Sequence, residues 1–144
     1  MKRYKVGYTT GVFDLFHIGH LNILKKAKEQ CEYLIVGVST DELVREYKNK
    51  SPIISFEERK QIVEAIKYVD EVVPQETLNK TDAYLRLKFN VLFQGDDWKI
   101  SPVYNETIKQ FKEMTSGGKM VEIVLFPRTE GISSTDIMKQ TIDF

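Results

Sequence analysis

The chain predicts an α/β fold: one domain, residues 1–144, in which five parallel strands form a single sheet with helices on both faces. Three observations carry this. Strand-like and helix-like segments alternate along the whole sequence, the pattern of parallel sheets joined by helical crossovers. Tyr33–Ser39 is a nearly continuous apolar run, as expected of a strand buried on both faces. The segments richest in glycine, histidine and hydroxyl groups fall after strand candidates, where ligands sit in open parallel sheets.

Each element has its own signal. Tyr4–Thr9 reads as the first strand. Ile18–Gln30 sets Leu21, Ile23, Leu24 and Ala27 against Lys25, Lys26, Lys28 and Glu29, an amphipathic helix. After the Tyr33–Ser39 strand, a short helix runs from Thr40 to about Tyr47, followed by the basic loop Lys48-Asn49-Lys50-Ser51-Pro52. Ser55 and Glu58 form a capping-box pattern that opens a helix through about Tyr68. Val69–Val73 is a strand ended by Pro74. Asp82–Lys88 is helical and Val91–Gln94 is the fourth strand. Val103–Met114 is a helix closed by Gly117-Gly118, and Val121–Phe126 is the fifth strand. Ser133 or Ser134 caps a last helix to about Ile142.

Composition narrows the class. Lys plus Arg and Asp plus Glu are each 21, so no net field favours nucleic acid or an anionic membrane, and anion binding must be local. No run approaches the ~18 apolar residues of a membrane span, and the basic N-terminus lacks the apolar stretch of a signal peptide. A lone Cys31 rules out an intramolecular disulfide and fits a reducing cytoplasm, with the thiol as a packing residue.

Both histidines of the chain lie in one ten-residue run, Gly11-Val12-Phe13-Asp14-Leu15-Phe16-His17-Ile18-Gly19-His20. Gly11 stands where strand hands over to helix, which would let the backbone approach an anion at positive φ. The amides and dipole of the next helix start face the same spot. His17 and His20 are three apart across that start, so both rings can face one ligand, and Gly19 leaves room between them. A metal pair with Asp14 as third ligand is the alternative. A second anion cradle follows the last strand: Arg128 beside a glycine turn at Gly131, then hydroxyls at Ser133, Ser134 and Thr135. An ordinary helix cap is the plainer reading of those hydroxyls.

The ten-residue run resembles the signature of the cytidylyltransferase family of nucleotidyltransferases. Arg128-Thr129-Glu130-Gly131-Ile132-Ser133-Ser134 resembles that family's second signature, with Ser134 in place of threonine. Ile66-Lys67-Tyr68-Val69-Asp70-Glu71-Val72 resembles a third segment, in which the family has arginine where Lys67 stands. Gly95-Asp96-Asp97-Trp98 resembles a segment of the glycerol-3-phosphate cytidylyltransferases. The echo of class I aminoacyl-tRNA synthetases in His17–His20 lacks its lysine-rich partner signature.

The resemblance implies a Rossmann-like domain that joins CTP to a small phosphomonoester, glycerol 3-phosphate first among them. The products would be pyrophosphate and CDP-glycerol, a precursor for teichoic acid or capsule. It implies His17, His20, Asp14 and Arg128 as catalytic residues. Nucleotide contacts would come from Thr10, Gly11, Val12, Phe13, Gly19, Lys48, Lys50, Arg59, Gly95 and Asp96. Arg128, Thr129, Gly131, Ile132, Ser133 and Ser134 would complete them. Asp41, Asp97 and Trp98 are candidates for the acceptor. Mg²⁺ would accompany CTP, and a homodimer without nucleic-acid or membrane partners is implied. Other phosphomonoesters, adenylyl transfer, and a nucleotide sensor without activity remain as alternatives.

Overall fold

A computed structural model describes residues 2–114 and 121–142. Five strands, β1 (Tyr4–Gly11), β2 (Cys31–Ser39), β3 (Glu71–Gln75), β4 (Val91–Gly95) and β5 (Glu122–Phe126), form one sheet of order β3-β2-β1-β4-β5. Every pairing is parallel. The helices are α1 (Ile18–Gln30), α2 (Asp41–Lys48), α3 (Phe56–Glu64), α4 (Lys80–Leu87), α5 (Tyr104–Glu113) and α6 (Ser134–Ile142). The strand order reverses between β1 and β4, so the C-terminal ends of those two strands flank the crevice of a doubly wound sheet. No helix among the described residues is long and apolar enough to cross a membrane.

Two cores sandwich the sheet. Leu24 and Ala27 of α1 and Val63 of α3 pack on one face with Val36 and Phe93. Ala83 of α4 and Phe111 of α5 pack on the other with Tyr8, Phe89 and Leu92. Leu24 is buried completely, and removing such a side chain costs about 2–5 kcal/mol because the space does not refill.

Predicted and observed elements differ where tertiary contacts intervene. β2 begins at Cys31, directly on the end of α1, and the buried thiol donates to Ala27 O at 3.3 Å. α3 stops at Glu64 rather than near Tyr68, because Asp70 is pinned to β2. Its amide donates to Leu34 O at 3.0 Å, and its carboxylate accepts from Leu34 N and Lys28 Nζ. The chain must turn before that point. Lys67 stays exposed with its ammonium 5.3 Å from the Tyr68 ring, while Tyr68 and Val69 pack against the first core. Pro74 does not end the third strand but lies inside it, paired with Val38. β3 is the sheet edge, where a residue without an N–H costs no ladder bond. A short 3₁₀ helix, Asp96–Ile100, has no periodic signal. The Gly117-Gly118 helix stop lies outside the described residues.

Candidate active site

The crevice at the ends of β1 and β4 holds two adjoining cavities. The first, about 240 Å³, is lined by Thr10, Gly11, Val12, Phe13, Asp14, Lys50 and Gln94. The second, about 520 Å³, is lined by His17, Gly19, Asp97, Arg128, Thr129, Ile132 and Ser133. His20, Lys48, Gly95 and Ser134 line both. The glycine–histidine run and the distal arginine segment, more than a hundred residues apart in sequence, therefore face one space.

The two histidines build the start of α1. His17 is its N-cap: His17 Nδ1 accepts from Gly19 N at 3.0 Å, and His20 Nδ1 accepts from His17 N at 3.1 Å. This is a capping box made of imidazoles instead of Ser and Glu. A Cβ on Gly19 would sit 2.8 Å from His17 Cε1, so only glycine lets this ring fold back on the amide. Because each Nδ1 accepts, the neutral ring carries its proton on Nε2, and each histidine keeps one N–H to offer a ligand. The rings stack at 3.9 Å between centroids. Burial, with the neighbouring His17 ring as a lesser cause, lowers His20 to about 4, and burial lowers His17 below its usual value. Both are neutral donors near pH 7.

For His20 the folded-state value lies below the unfolded one of 6.5, so the unfolded chain binds more protons between the two. The His20 contribution is complete above about pH 6.5 and is lost as pH falls toward 4. With only two histidines in the chain, their NMR signals are assigned by a single variant. His20 is expected to titrate near 4 and His17 below the ordinary histidine value. Two titrations at the ordinary value would contradict this arrangement.

Asp14 holds the basic loop in place. One carboxylate oxygen accepts from Ile53 N at 2.8 Å and the other from Ile54 N at 2.9 Å. Its main-chain carbonyl accepts from Ser134 Oγ at 2.6 Å, which docks the start of α6 onto the histidine loop. Asn22 Nδ2 donates to Thr129 Oγ1 at 3.1 Å, tying α1 to the arginine segment. Asp14→Ala should therefore free the 49–54 loop and weaken nucleotide binding in the crevice about tenfold or more, the scale of losing one or two hydrogen bonds. Titration calorimetry with a nucleoside triphosphate checks this; an unchanged affinity would count against the clamp.

Comparison with known proteins supplies the family. The family model described as Cytidylyltransferase-like matches residues 8–140. The chain belongs to the cytidylyltransferase-like family. It is 38% identical over 133 residues to the glycerol-3-phosphate cytidylyltransferase of Bacillus subtilis (strain 168), covering 92% of this chain and 93% of the relative. It is 35% identical to the protein of the same name from Staphylococcus aureus (strain NCTC 8325 / PS 47), covering 92% and 91%. An ethanolamine-phosphate cytidylyltransferase of Dictyostelium discoideum is 38% identical over 141 residues, which cover 96% of this chain but 38% of the relative. Among solved structures, a lipopolysaccharide core biosynthesis protein from Thermoplasma volcanium GSS1 superposes with TM-score 0.72 at 25% identity, covering 88% of this chain and 99% of that one.

Within this nucleotidyltransferase family, several residues expected at the site do other work here. Arg59 is completely buried and lines neither cavity. Its guanidinium donates to Ile54 O, Val12 O, Ser39 O and Asp41 Oδ1 at 2.6–2.9 Å. It is a strut rather than a nucleotide contact. Asp41 is spent on Arg59 and on Phe56 N, so it is not placed to read an acceptor. Trp98 packs on the second core, edge-on to Tyr104 at 5.1 Å. Asp96 is exposed beside the cavities, and Gly131 is exposed with nothing near its Cα hydrogens.

The left-handed backbone also sits elsewhere. Gly11 ends β1 in the sheet, and Phe13 (φ 57°) and Leu15 (φ 51°) take the positive angles instead. Conformations of that kind cost non-glycine residues about 1–3 kcal/mol each; the Arg59, Asp14 and Ser134 bonds hold the loop in them. Gly131 does adopt positive φ, at 79°, where glycine is needed for the turn. Three residues had no motif to announce them: Asn22, Gln94 and Lys80. All act through contacts made across the fold.

Proposed function

We propose that the protein transfers the cytidylyl group of CTP to glycerol 3-phosphate, yielding CDP-glycerol and pyrophosphate. The observation that carries this is the shared space: two neutral imidazole donors, Arg128 and Lys48 meet at the tip of a parallel sheet, in a chain whose relatives bear that activity in their names. A phosphate oxygen of the acceptor attacks the α-phosphorus while the bond to the bridging oxygen of the β-phosphate breaks, and pyrophosphate takes the electron pair. The attacking monoester has a second pKa of about 6, so it arrives ionised and needs no general base. The chain's part is positioning and charge stabilisation.

The Nε2–H groups of His17 and His20 donate to the phosphate oxygens as negative charge develops. Arg128, with Thr129 and Ser133, holds the nucleotide in the larger cavity. Lys48, at the end of α2 and lining both cavities, bridges the two substrates. Lys50 approaches the acceptor end.

Asp14 spends one lone pair of each oxygen on the loop clamp. No group of three metal-ligating side chains occurs among the described residues. In this reading Mg²⁺ accompanies CTP, held by the triphosphate. Phe13 is the one aromatic ring besides His17 and His20 among the described cavity-lining residues. No cage for a quaternary ammonium is present there, which favours a polyol acceptor over phosphocholine. A homodimer, a cytoplasmic location and use of the product in cell-wall or capsule polymers extend the same reading.

The test is pyrophosphate release from CTP, with ATP as control, against glycerol 3-phosphate, glycerol 2-phosphate, phosphoethanolamine and phosphocholine. Glycerol 3-phosphate with CTP is expected to give the highest kcat/KM. Preference for another ester moves the acceptor, and CTP binding without pyrophosphate release leaves a sensor.

A further inference from the structure

Asn22 is an unfavourable choice for the interior of a helix. It is half-buried in α1, one turn beyond Ile18. Asparagine ranks well below leucine as a helix former, because its amide competes for backbone partners. It lies outside both signature segments and lines neither cavity. Its side chain reaches across the fold instead: Nδ2 donates to Thr129 Oγ1 at 3.1 Å.

The partner belongs to the segment between β5 and α6. Arg128 and Thr129 of that segment line the larger cavity together with His17 and His20. Arg128 is exposed and forms no ion pair among the described residues. The place of its guanidinium is therefore set by where the backbone around it is held. Ser134 Oγ seats the far end of the segment on Asp14 O. Gly131, between the two ends, is exposed. Asn22 seats the near end, one residue from Arg128. A threonine hydroxyl that accepts a hydrogen bond still has its own proton to give, so this tie leaves Thr129 able to donate to a ligand.

We infer that Asn22 is a positioning residue for the nucleotide: through Thr129 it fixes the arginine segment against the histidine helix, so that Arg128 and the two imidazoles reach one triphosphate. Asn22 does not touch the nucleotide. Without the tie, binding itself has to order the segment, and affinity falls by up to the worth of the lost bond.

This inference rests on the nucleotide site of the reaction proposed above, and the two fail differently. Titration calorimetry with CTP reads the tie without any turnover. Asn22→Leu removes the amide and puts a better helix former in its place. CTP affinity is expected to fall about tenfold, the scale of one hydrogen bond, while the melting temperature stays within a few degrees of wild type. In steady state the CTP KM should rise in step, with the acceptor KM within about twofold. Added to Thr129→Val, Asn22→Leu should cost nothing more, since the interaction it removes is already gone.

Unchanged CTP affinity, losses that multiply in the double variant, or equal rises in both KM values would each overturn the inference. Should Asn22→Leu melt far below wild type, Asn22→Ala carries the same comparison and is judged by the same results. A wild-type chain that binds CTP without releasing pyrophosphate overturns the transfer reading alone, and the affinity comparison still decides Asn22. A wild-type chain that does not bind CTP overturns both.

Discussion

His17→Ala and His20→Ala are each expected to lower kcat by ~10² or more, the scale of losing one preorganised transition-state donor. Each ring has its Nδ1 committed to a backbone amide and only Nε2–H left to give, so truncation removes the sole donor that residue brings. The same truncation strips the capping box from α1 at a cost of about 1 kcal/mol, and a loss of activity could be mistaken for fraying. His17→Asn separates the two effects. An asparagine side-chain oxygen can still accept from the Gly19 amide as a helix cap, but it places no donor where Nε2 stood. Thermal stability near wild type together with kcat down by ~10² locates the role of His17 in the transfer step. Near-normal turnover in the alanine variants would refute the assignment.

Arg59→Met is expected to lower the melting temperature by roughly 10 °C, because breaking a buried charge pair costs about 3–5 kcal/mol and each kcal/mol shifts a domain of this size by a few degrees. The guanidinium joins four segments at once: the loop after β1 through Val12, the end of β2 through Ser39, the start of α2 through Asp41, and the lead into α3 through Ile54. Methionine leaves three carbonyls and a carboxylate without their donor. Arg59→Lys should restore little of this, since a single ammonium cannot copy the fork that reaches four acceptors. CTP affinity should fall in parallel with stability, because the loop bearing Phe13 and Leu15 loses one of its restraints. Calorimetry with and without CTP checks both effects; a melting temperature within a degree or two of wild type would show that the strut is dispensable.

The same residue shows where sequence reasoning stops. An arginine on an amphipathic helix beside a glutamate looks solvent-facing, yet at position 59 it is the largest completely buried side chain. Three of its four acceptors, on Val12, Ser39 and Asp41, come from distant segments, and no local pattern encodes them. Asp41 was misread for the same reason. Lys80 is the complementary case: it lies before the predicted Asp82–Lys88 helix, and only the fold, which starts α4 at Lys80 and sets it against β1, exposes its hydrogen bond to Thr10.

Periodicity and capping chemistry, by contrast, are local. α1 runs over the residues its apolar spacing predicts, and Ser55 caps α3 as its hydroxyl and Glu58 suggest. The end of α3 was not legible, because the Asp70 contacts to β2 that terminate it are long-range.

The sequence by itself determined the parallel α/β class, the family, and the two segments that face the shared crevice. Alternation, glycine placement and short hydroxyl or histidine runs act over a few residues, and such information survives in one dimension. The tertiary structure alone decided which charged groups face the cavity and which brace its walls. That choice depends on what stands opposite each side chain once five strands are brought side by side. A guanidinium or an ammonium looks the same in a sequence whether its acceptors belong to a ligand or to the protein.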